Sequence, residues 1–307
     1  MKRPKIYIDG QSGTTGLEIR NRLEKRDDIE LLLIDEDKRH DDDERRRLMS
    51  EADLVFLCLP DKAAIEAAKM VNHAKIIDAS TAHRTQWTYG FPELDKDQKE
   101  KIRKADKVAN PGCHATGFIS IVAPLIKGGL LKKDSQLTAV SLTGYSGGGK
   151  KMIADYEGGK TEQMNSPKPY GLDLHHKHLP EMVKITGLEK APIFVPVVDD
   201  YRQGMIVMVG IPIESFTNEV SAETVADFYR DWYKNTHIEV NAGAASLYAN
   251  ELADTDRLAL NVSGNEGQIL VCAQFDNLGK GASGAAIQNM NIMLGLDEEA
   301  GLELGKE

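Results

Sequence analysis

The chain has 307 residues, with 38 Lys and Arg side chains against 48 Asp and Glu, which gives a formal net charge of −10. This length suits one large or two ordinary domains, and the hydrophobic residues, 41% of the sequence, are enough to bury a core. The single basic run, residues 45–47, adjoins acidic residues 41–44, so the chain lacks the basic face that nucleic acid requires. No apolar stretch approaches the roughly 20 residues that span a bilayer, so a membrane is not an expected partner either.

The start of the chain and its cysteines indicate a compartment. The first residues lead directly into a strand-like apolar run, without the apolar region of a signal peptide. The three cysteines, Cys58, Cys113 and Cys272, are an odd number and too few for a disulfide framework. We therefore expect a protein of the reducing cytoplasm.

Apolar runs alternate with helical patterns in the first third of the chain. Helical spacing of apolar residues predicts helices near residues 17–24 and 63–71. Continuous apolar runs predict strands at residues 6–8, 31–34, 54–59 and 76–77. Such strands, separated by helices, are typical of a parallel sheet covered on both faces. The pattern predicts an α/β fold in which residues 1–112 form a doubly wound, Rossmann-like dinucleotide-binding domain.

The pattern changes near Asn110. A helix is expected to begin at Cys113 and to kink or end at Pro124. Residues 217–234 give the clearest later helix, and strands are expected at residues 137–142, 193–198, 205–211 and 269–275. Residues 146–168 are rich in Gly and Lys and predict a long loop. We predict an α+β catalytic and oligomerisation domain with a mixed sheet over residues 113–279, and a C-terminal helix over 280–307 that packs back on the first domain.

A glycine-rich turn follows the first strand and opens a helix. Its glycines, Gly10, Gly13 and Gly16, are interleaved with Ser12 and Thr14. Glycines let a backbone approach a pyrophosphate closely, and the N–H groups at a helix N-terminus bind anions. An ordinary strand-to-helix turn would explain the letters alone, since the spacing is not the usual G-x-G-x-x-G. The position at the start of the βαβ series favours a dinucleotide site.

The segment after the second strand contains residues that could distinguish NAD from NADP. Asp35 has the spacing of an acidic residue that binds the ribose 2′-hydroxyl, which favours NAD. Lys38 and Arg39 follow closely and would accommodate the 2′-phosphate of NADP. Glu36 and Asp37 argue against the phosphate, and a solvated charged loop would also explain the run. We favour NADP as the cofactor.

Cys113 is the candidate nucleophile. It follows an Asn-Pro-Gly turn and is expected to begin a helix, whose N-terminal N–H groups favour a thiolate. The alternative, a small buried apolar residue, suits Cys58 and Cys272 better, because both lie in apolar strand-like runs.

Three of the eight histidines occur in residues 170–181. A histidine with a pKa near neutrality could exchange a proton with a reacting oxygen. Two other interpretations are a metal site and a polar helix entrance with exposed histidines. The metal site lacks a convincing third and fourth ligand, so no metal is expected.

Two segments could bind substrate anions. Ser80, Thr81 and Arg84 follow the fourth strand, at the edge where such sheets bind ligands, and arginine forms paired hydrogen bonds with phosphate or carboxylate. Residues 146–150 could form a second anion-binding nest that includes Lys150. A plain turn would explain either segment, and for Lys150 alone it is the better explanation.

Taken together, these segments resemble N-acetyl-gamma-glutamyl-phosphate reductase, in its shorter bacterial (type 2) form. The resemblance covers nearly the whole chain. Its most specific parts are the Asn-Pro-Gly-Cys turn that ends at Cys113 and the His-Lys-His-Leu-Pro-Glu run from His176 to Glu181. It also rests on residues 10–16, 35–39, 78–84, 146–150 and 276–282. The wider fold group includes aspartate-semialdehyde dehydrogenase and glyceraldehyde-3-phosphate dehydrogenase.

The resemblance implies NADPH-dependent reduction of an acyl phosphate in arginine biosynthesis. Cys113 would form a thioester, and His176 would serve as acid/base, with exchanged roles for His178 left open. Supporting catalytic residues would be Tyr170 and Glu181. Ser80 and Arg84 would lie near substrate anions, and Asn277 near the nicotinamide. Lys177 stands where longer family members usually have arginine, so the sequence departs from the family pattern at this position.

The resemblance also implies a homo-oligomer and a small-molecule acyl-phosphate substrate. Two alternatives are considered beside this function. One is another acyl-phosphate reductase of the same fold, of the aspartate-semialdehyde dehydrogenase type. The other is a non-catalytic dinucleotide-sensing protein, which would need neither Cys113 nor the histidine run.

Overall fold

The computed structural model describes residues 3–305, which divide into two compact units. The first unit contains the chain up to Pro92 together with Asp97–Pro111 and Ala282–Leu302. The second contains Glu93–Lys96, Gly112–Gly281 and the chain from Glu303 onward. Strands and helices are numbered here along the chain.

A six-stranded parallel sheet forms the centre of the first unit. Its strands are β1 (Lys5–Asp9), β2 (Glu30–Leu32), β3 (Leu54–Leu57), β4 (Lys75–Asp78), β5 (Thr88–Tyr89) and β6 (Lys107–Ala109). They lie in the order β2-β1-β3-β4-β6-β5, and every pair is parallel. The chain leaves β1 first toward β2 and later returns to β3 on its other side. The carboxyl ends of β1 and β3 therefore form the switch point where open α/β sheets bind ligands.

Helices cover both faces of this sheet. They are α1 (Thr14–Leu23), α2 (Asp42–Glu51), α3 (Asp61–Met70), α4 (Gln98–Lys104) and α9 (Gly284–Leu294). Side chains alternate along β1, so Ile6 and Ile8 join a core cluster on one face and Tyr7 joins another on the opposite face. The first cluster includes Met290 of α9, and the second includes Met49 of α2.

The C-terminal helix is shorter than the predicted span of 280–307. The helix α9 ends at Leu294, and Gly295 follows in a left-handed conformation with φ 67°, which terminates the helix. The described residues beyond it form turns and irregular chain, and residues 306 and 307 of the predicted span lie outside the described residues.

A seven-stranded mixed sheet forms the centre of the second unit. Its strands are β7 (Thr138–Gly144), β8 (Lys168–Pro169), β9 (Ile193–Asp199), β10 (Met205–Pro212), β11 (Ile238–Ala242), β12 (Leu258–Gly264) and β13 (Gln268–Phe275). They lie in the order β11-β12-β13-β10-β7-β9-β8. The β7–β9 and β11–β12 pairs are parallel and the others antiparallel. The parallel sheet and this mixed sheet confirm the predicted fold class.

The helices of the second unit are α5 (Cys113–Lys127), α6 (Gly149–Gly158), α7 (Leu179–Thr186) and α8 (Ala222–Trp232). The helix α5 packs against β10 and β13, and α8 packs against β11 and β12. None of the helices within residues 3–305 is both long and apolar enough to cross a membrane.

Two sequence expectations about this unit are corrected by the structure. Of the two outcomes expected at Pro124, a kink or an end, the end does not occur, because α5 continues to Lys127. Proline has no N–H to donate to the carbonyl of Ser120, and the Tyr233 hydroxyl donates to that carbonyl instead at 2.7 Å. The predicted loop over residues 146–168 contains α6, whose Tyr156 is buried and stacks on Tyr145 at 4.7 Å.

Candidate active site

The glycine-rich turn joins β1 to α1 at the carboxyl edge of the parallel sheet. Gly10 has φ 91°, and a Cβ there would overlap the carbonyl oxygen of Cys58. A Cβ on Gly16 would overlap the carbonyl oxygen of Gly10, whereas a Cβ on Gly13 would meet it at an ordinary 3.4 Å. Gly13 precedes α1 without any side-chain cap. The turn therefore has the close packing and the uncapped helix start that a pyrophosphate site uses.

A cavity of about 290 Å³ lies beside this turn. Ser12 and Arg39 line it, and Thr14 begins α1 next to it. Lys38 is not among the lining residues; its ammonium group lies 3.8 Å from the Asp35 carboxylate. Arg39 pairs with Glu36. Of the two predicted cations, Arg39 is the one that borders the cavity, although both already have acidic partners.

Arg45 of α2 is a further cation at this cavity that the sequence pattern did not single out. Its guanidinium donates to both carboxylate oxygens of Asp9, from Nε at 3.2 Å and from Nη2 at 2.7 Å. Asp9 is buried at the end of β1, directly before the glycine turn. This paired contact fixes α2 beside the turn. In the sequence, Arg45 is part of a basic run whose charge the acidic neighbours cancel.

Cys113 is half-buried and is the first residue of α5, where its sequence context predicts the helix to begin. A side chain of another helix, α7, holds the turn that precedes Cys113. Glu181, in the first turn of α7, is buried and accepts a hydrogen bond from the backbone N–H of Gly112 at 2.7 Å. A carboxylate that accepts from a buried N–H forms a strong, directional contact. Glu181 therefore positions the residue that precedes Cys113.

Three imidazoles lie together beside the start of α5. The ring centroid of His114 is 5.4 Å from that of His176 and 5.7 Å from that of His178, and the last two are 4.8 Å apart. The backbone N–H of His178 donates to Nδ1 of His176 at 3.2 Å, so the proton of a neutral His176 ring resides on Nε2. Burial, with a smaller contribution from the Lys177 charge, lowers the pKa of His176 to about 4. His176 is half-buried, whereas His178 is only 4% exposed.

Tyr170 joins this cluster through His114. Nε2 of His114 lies 2.9 Å from the Tyr170 hydroxyl, and Nδ1 lies 2.7 Å from the hydroxyl of Ser141 in β7. Burial lowers the pKa of His114 to about 3, with smaller contributions from the charges of His176 and Lys177. Burial, together with the charge of Cys113, raises the pKa of Tyr170. His114 was missed as a site residue, although it follows Cys113 directly in the chain.

Asn277 is buried, and both ends of its amide are bonded within the second unit. Its Oδ1 accepts from the N–H of Gly204 at 2.9 Å, and its Nδ2 donates to Ser146 Oγ at 2.9 Å. These two bonds leave the second Nδ2 proton and the second acceptor site of Oδ1 unused. Its predicted place near a nicotinamide stays a prediction.

Ser80 and Arg84 are both buried in the first unit. The Ser80 hydroxyl donates to the Asp78 carboxylate at 2.8 Å, and His83 Nδ1 lies 2.6 Å from the same carboxylate. Arg84 donates from Nε to the carbonyl of Asn110 at 3.0 Å and from Nη2 to the carbonyl of Ala79 at 3.1 Å. These contacts order the loop after β4, and substrate binding by Ser80 and Arg84 stays a prediction.

Lys150 is exposed on α6 and forms no ion pair with residues 3–305. A buried lysine occurs elsewhere in the second unit, where the Lys280 ammonium lies 2.7 Å from the Glu93 carboxylate, both side chains being 3% exposed. Across the described part of the chain, no three His, Cys, Asp or Glu side chains are arranged to hold a metal ion.

Comparison with known proteins first defines the class. A family model described as the dimerisation domain of semialdehyde dehydrogenase matches residues 113–277, which begin at Cys113 and end at Asn277. Two solved structures share the fold across both units. Aspartate semialdehyde dehydrogenase II from Vibrio cholerae has a TM-score of 0.73 at 16% identity and covers 95% of this chain and 99% of its own. A probable aspartate-semialdehyde dehydrogenase from Pseudomonas aeruginosa has a TM-score of 0.74 at 14% identity, with the same coverage. The protein is thus an oxidoreductase of the semialdehyde dehydrogenase class.

Sequence relatives give the family. N-acetyl-gamma-glutamyl-phosphate reductase 2 of Nostoc sp. (strain PCC 7120) is 44% identical over 98% of this chain and 100% of its own length. N-acetyl-gamma-glutamyl-phosphate reductase of Sinorhizobium medicae is 45% identical over 95% of this chain and 99% of its own. The chain belongs to the N-acetyl-gamma-glutamyl-phosphate reductase family, which confirms the resemblance seen in the sequence.

Proposed function

We propose that this protein reduces N-acetyl-gamma-glutamyl phosphate to N-acetylglutamate semialdehyde with NADPH, as a step of arginine biosynthesis. The names of the relatives support the substrate. The observation that carries the chemistry is a half-buried cysteine at the first position of a buried helix, followed directly by His114, whose ring lies in a cluster of three imidazoles and a phenol. A cytoplasmic location is part of the proposal, since the substrate is a phosphorylated metabolite.

Cys113 is the proposed nucleophile. Its thiolate attacks the acyl carbon of the substrate, the bond from that carbon to the phosphate oxygen breaks, and phosphate leaves with the electron pair. The N-terminal N–H groups of α5 favour the thiolate that starts this step. The resulting thioester holds the carbonyl in place for a single two-electron reduction, so that the product is an aldehyde.

When bound, NADPH would supply the hydride equivalent for reduction of the thioester carbonyl. The carbonyl oxygen then becomes negatively charged, the carbon–sulfur bond breaks, and the Cys113 thiolate leaves with its electron pair. The resemblance assigns His176 an acid/base role at this oxygen. Because Nδ1 of His176 accepts from the backbone and the ring is neutral near pH 7, the geometry favours hydrogen-bond donation from Nε2. His178 is the weaker candidate, since it is nearly inaccessible.

NADP is the proposed cofactor, held in the first unit. The pyrophosphate would lie against the turn that contains Gly10, Gly13 and Gly16. The hydroxyl groups of Ser12 and Thr14 are side-chain donors in this turn. Arg39 at the edge of the cavity would exchange its contact with Glu36 for the 2′-phosphate. Lys38 does not line the cavity, and its positive charge would attract the 2′-phosphate from a greater distance. The resemblance also assigns Asn277 a place near the nicotinamide.

The protein is further proposed to form a homo-oligomer through the mixed sheet. The matched family model is described as a dimerisation domain. On β13, Ile269 and Val271 are fully buried, whereas Leu270 on the other face is 39% exposed. Met208 and Val140 pair directly across strands on that same face and are half-buried. A second copy would cover these apolar side chains, and light scattering of the wild-type protein and of Leu270→Glu tests this.

The proposed substrate is tested in the oxidative direction. Purified protein is given NADP, phosphate and either N-acetylglutamate semialdehyde or aspartate semialdehyde, and NADPH formation is followed at 340 nm. We expect kcat/KM for the N-acetylated aldehyde to exceed that for aspartate semialdehyde by at least about 100-fold, because a missing substrate contact in a built pocket costs several kcal/mol. The reverse preference would identify the aspartate-semialdehyde type of enzyme. NADPH binding without turnover of either aldehyde would favour the dinucleotide-sensing alternative.

A further inference from the structure

The proposed mechanism assigns no role to His114, although both nitrogens of its buried ring have hydrogen-bond partners. Its ring is 3% exposed, and each ring nitrogen lies within hydrogen-bond distance of one hydroxyl group, that of Ser141 or that of Tyr170. A neutral imidazole has one N–H donor and one acceptor nitrogen. Only two arrangements are therefore possible. In one, Ser141 donates to His114 and His114 donates to Tyr170; in the other, Tyr170 donates to His114 and His114 donates to Ser141.

The burial of Ser141 decides between them. Its side chain is 0% exposed on β7, and within the described residues its hydroxyl bonds to His114 alone. If His114 Nδ1 carried the proton, the Ser141 hydroxyl would accept and its own buried proton would have no acceptor, which costs about 1–3 kcal/mol. If Ser141 donates to Nδ1, the protons of the buried Ser141 and His114 are both used, and the proton left over belongs to the half-buried Tyr170 hydroxyl. The proton of His114 then resides on Nε2 and is donated to the Tyr170 oxygen.

This direction has a consequence for Tyr170. A phenol oxygen that already accepts from His114 keeps its own O–H for another acceptor. Tyr170 is half-buried, and its hydroxyl lies 2.9 Å from the ring of His114, the residue that directly follows Cys113 in α5. The Tyr170 proton is thus available near the start of α5, where an acyl group on Cys113 would lie. A hydrogen bond accepted at the oxygen also polarises the phenol and makes it a stronger donor.

We propose that His114 is a positioning residue: with Ser141 it forms a directed chain that makes Tyr170 a hydrogen-bond donor to the carbonyl oxygen of the acyl group on Cys113. The inference rests on the proposed function for the identity of that acyl group. Tyr170 is the residue that touches the substrate, and His114 acts only through it. The neutral state of His114 agrees with this arrangement, because burial lowers its pKa to about 3.

The direction of the chain is tested without any substrate. Protein with ¹⁵N-labelled histidine is studied by long-range ¹H–¹⁵N NMR at pH 7, and the His114 signals are assigned by their loss in His114→Gln. We expect the Nε2–H form of a neutral ring. The Nδ1–H form, or a protonated ring, overturns the proposal whatever reaction the protein catalyses.

The positioning role is tested by a double-mutant cycle on kcat. Tyr170→Phe is expected to lower kcat about 100-fold, the effect of losing one donor to a developing oxyanion. His114→Phe should lower it by a similar factor, and the double variant should be no slower than Tyr170→Phe alone. His114→Gln, which keeps a donor near the Nε2 position, should recover most of the activity lost in His114→Phe. Ser141→Ala should lower kcat moderately, because it removes the group that fixes the proton on Nε2.

Ser120→Ala is the matched control, since Ser120 is also fully buried but donates to Gly117 within α5. Circular dichroism and NADPH binding establish that each variant is folded. Losses that multiply in the double variant, or a His114→Phe protein with wild-type kcat, overturn the positioning role. A folded wild-type protein without turnover of either aldehyde contradicts the proposed function instead, and the NMR result then decides the direction of the chain separately.

Discussion

The carboxylate of Glu181 accepts a hydrogen bond from the backbone N–H of Gly112 at 2.7 Å, which connects α7 to the residue before Cys113. Removal of this buried acceptor leaves the N–H without that partner and costs about 1–3 kcal/mol. We expect Glu181→Ala to lower the free energy of unfolding by about that amount and kcat about 10-fold or more, because the cysteine turn loosens. Glu181→Gln keeps an oxygen acceptor and should recover most of both losses. Equal effects of the two variants would argue against a positioning role; denaturant unfolding and steady-state kinetics measure them.

Cys113→Ser should abolish turnover, with kcat reduced at least about 1000-fold, because a serine hydroxyl is a far poorer nucleophile at neutral pH. NADPH binding, followed by fluorescence, should change less than about twofold. The control is Cys272→Ala, since Cys272 is buried in β13 and burial raises its pKa to about 11. Mass spectrometry after brief iodoacetamide treatment should find label on Cys113. Undiminished activity of Cys113→Ser would rule out the covalent mechanism.

His176→Ala and His178→Ala separate the two histidines. We expect His176→Ala to lower kcat about 100-fold, within the range for a lost proton-transfer or donor group, while Cys113 is still alkylated. His178 is buried before α7, so His178→Ala should mainly lower the free energy of unfolding. Should His178→Ala prove the more damaging to kcat in folded protein, the two roles are to be exchanged.

Arg39→Ser tests the cofactor site. Loss of one charge-assisted contact with the 2′-phosphate should raise the Kd for NADPH about 10- to 100-fold and leave the Kd for NADH nearly unchanged. Arg46→Ser is the matched control, because Arg46 is exposed on α2, pairs with Asp43 and does not line the cavity. Isothermal titration gives both constants. A parallel weakening of NADPH and NADH in Arg39→Ser would contradict 2′-phosphate recognition.

His114 should also make stability depend on pH. Its pKa is lowered to about 3 in the folded protein, from an ordinary value of about 6.5 when unfolded. The unfolded chain therefore binds the extra proton as the pH falls from about 6.5 to about 3. The stability that neutral His114 contributes is complete above pH 6.5 and falls by at most about 1.4 kcal/mol per pH unit below it. His114→Gln lacks this titration, so urea unfolding between pH 7 and pH 4 should give it the shallower slope. Parallel slopes would contradict a neutral, buried His114.

The glycine turn and the cysteine helix could be predicted because their chemistry is local. Gly10 and Gly16 are adjacent to an apolar strand in the sequence, and the Asn-Pro-Gly turn directly precedes Cys113. The contacts that position these segments could not be predicted. Glu181 is 69 residues from Gly112, and Arg45 is 36 from Asp9, so both pairs depend on how the elements pack. No periodicity within either segment indicates its partner.

Two errors had a related origin. Many glycines and lysines suggested a loop over residues 146–168, yet the contact between Tyr156 and Tyr145 outweighs that weak local preference and α6 forms. Pro124 was expected to kink or end α5, but the helix does not end there, and the missing hydrogen bond is compensated by Tyr233, which follows α8 more than a hundred residues later. Such tertiary compensation leaves no signal in the sequence around the proline itself.

The sulfur of Cys113 and the imidazole of His176 belong to parts of the second unit with different mechanical properties. After Cys113, α5 is buried without interruption through Ile126, so the backbone that carries the thiol can shift only if the hydrophobic core moves with it. His176 lies in an irregular stretch in which Leu174, a non-glycine residue, holds φ 60°, and Leu172 is 72% exposed. Any backbone movement that admits a substrate is therefore expected from the segment that carries His176, because the helix that carries the sulfur is held by the core.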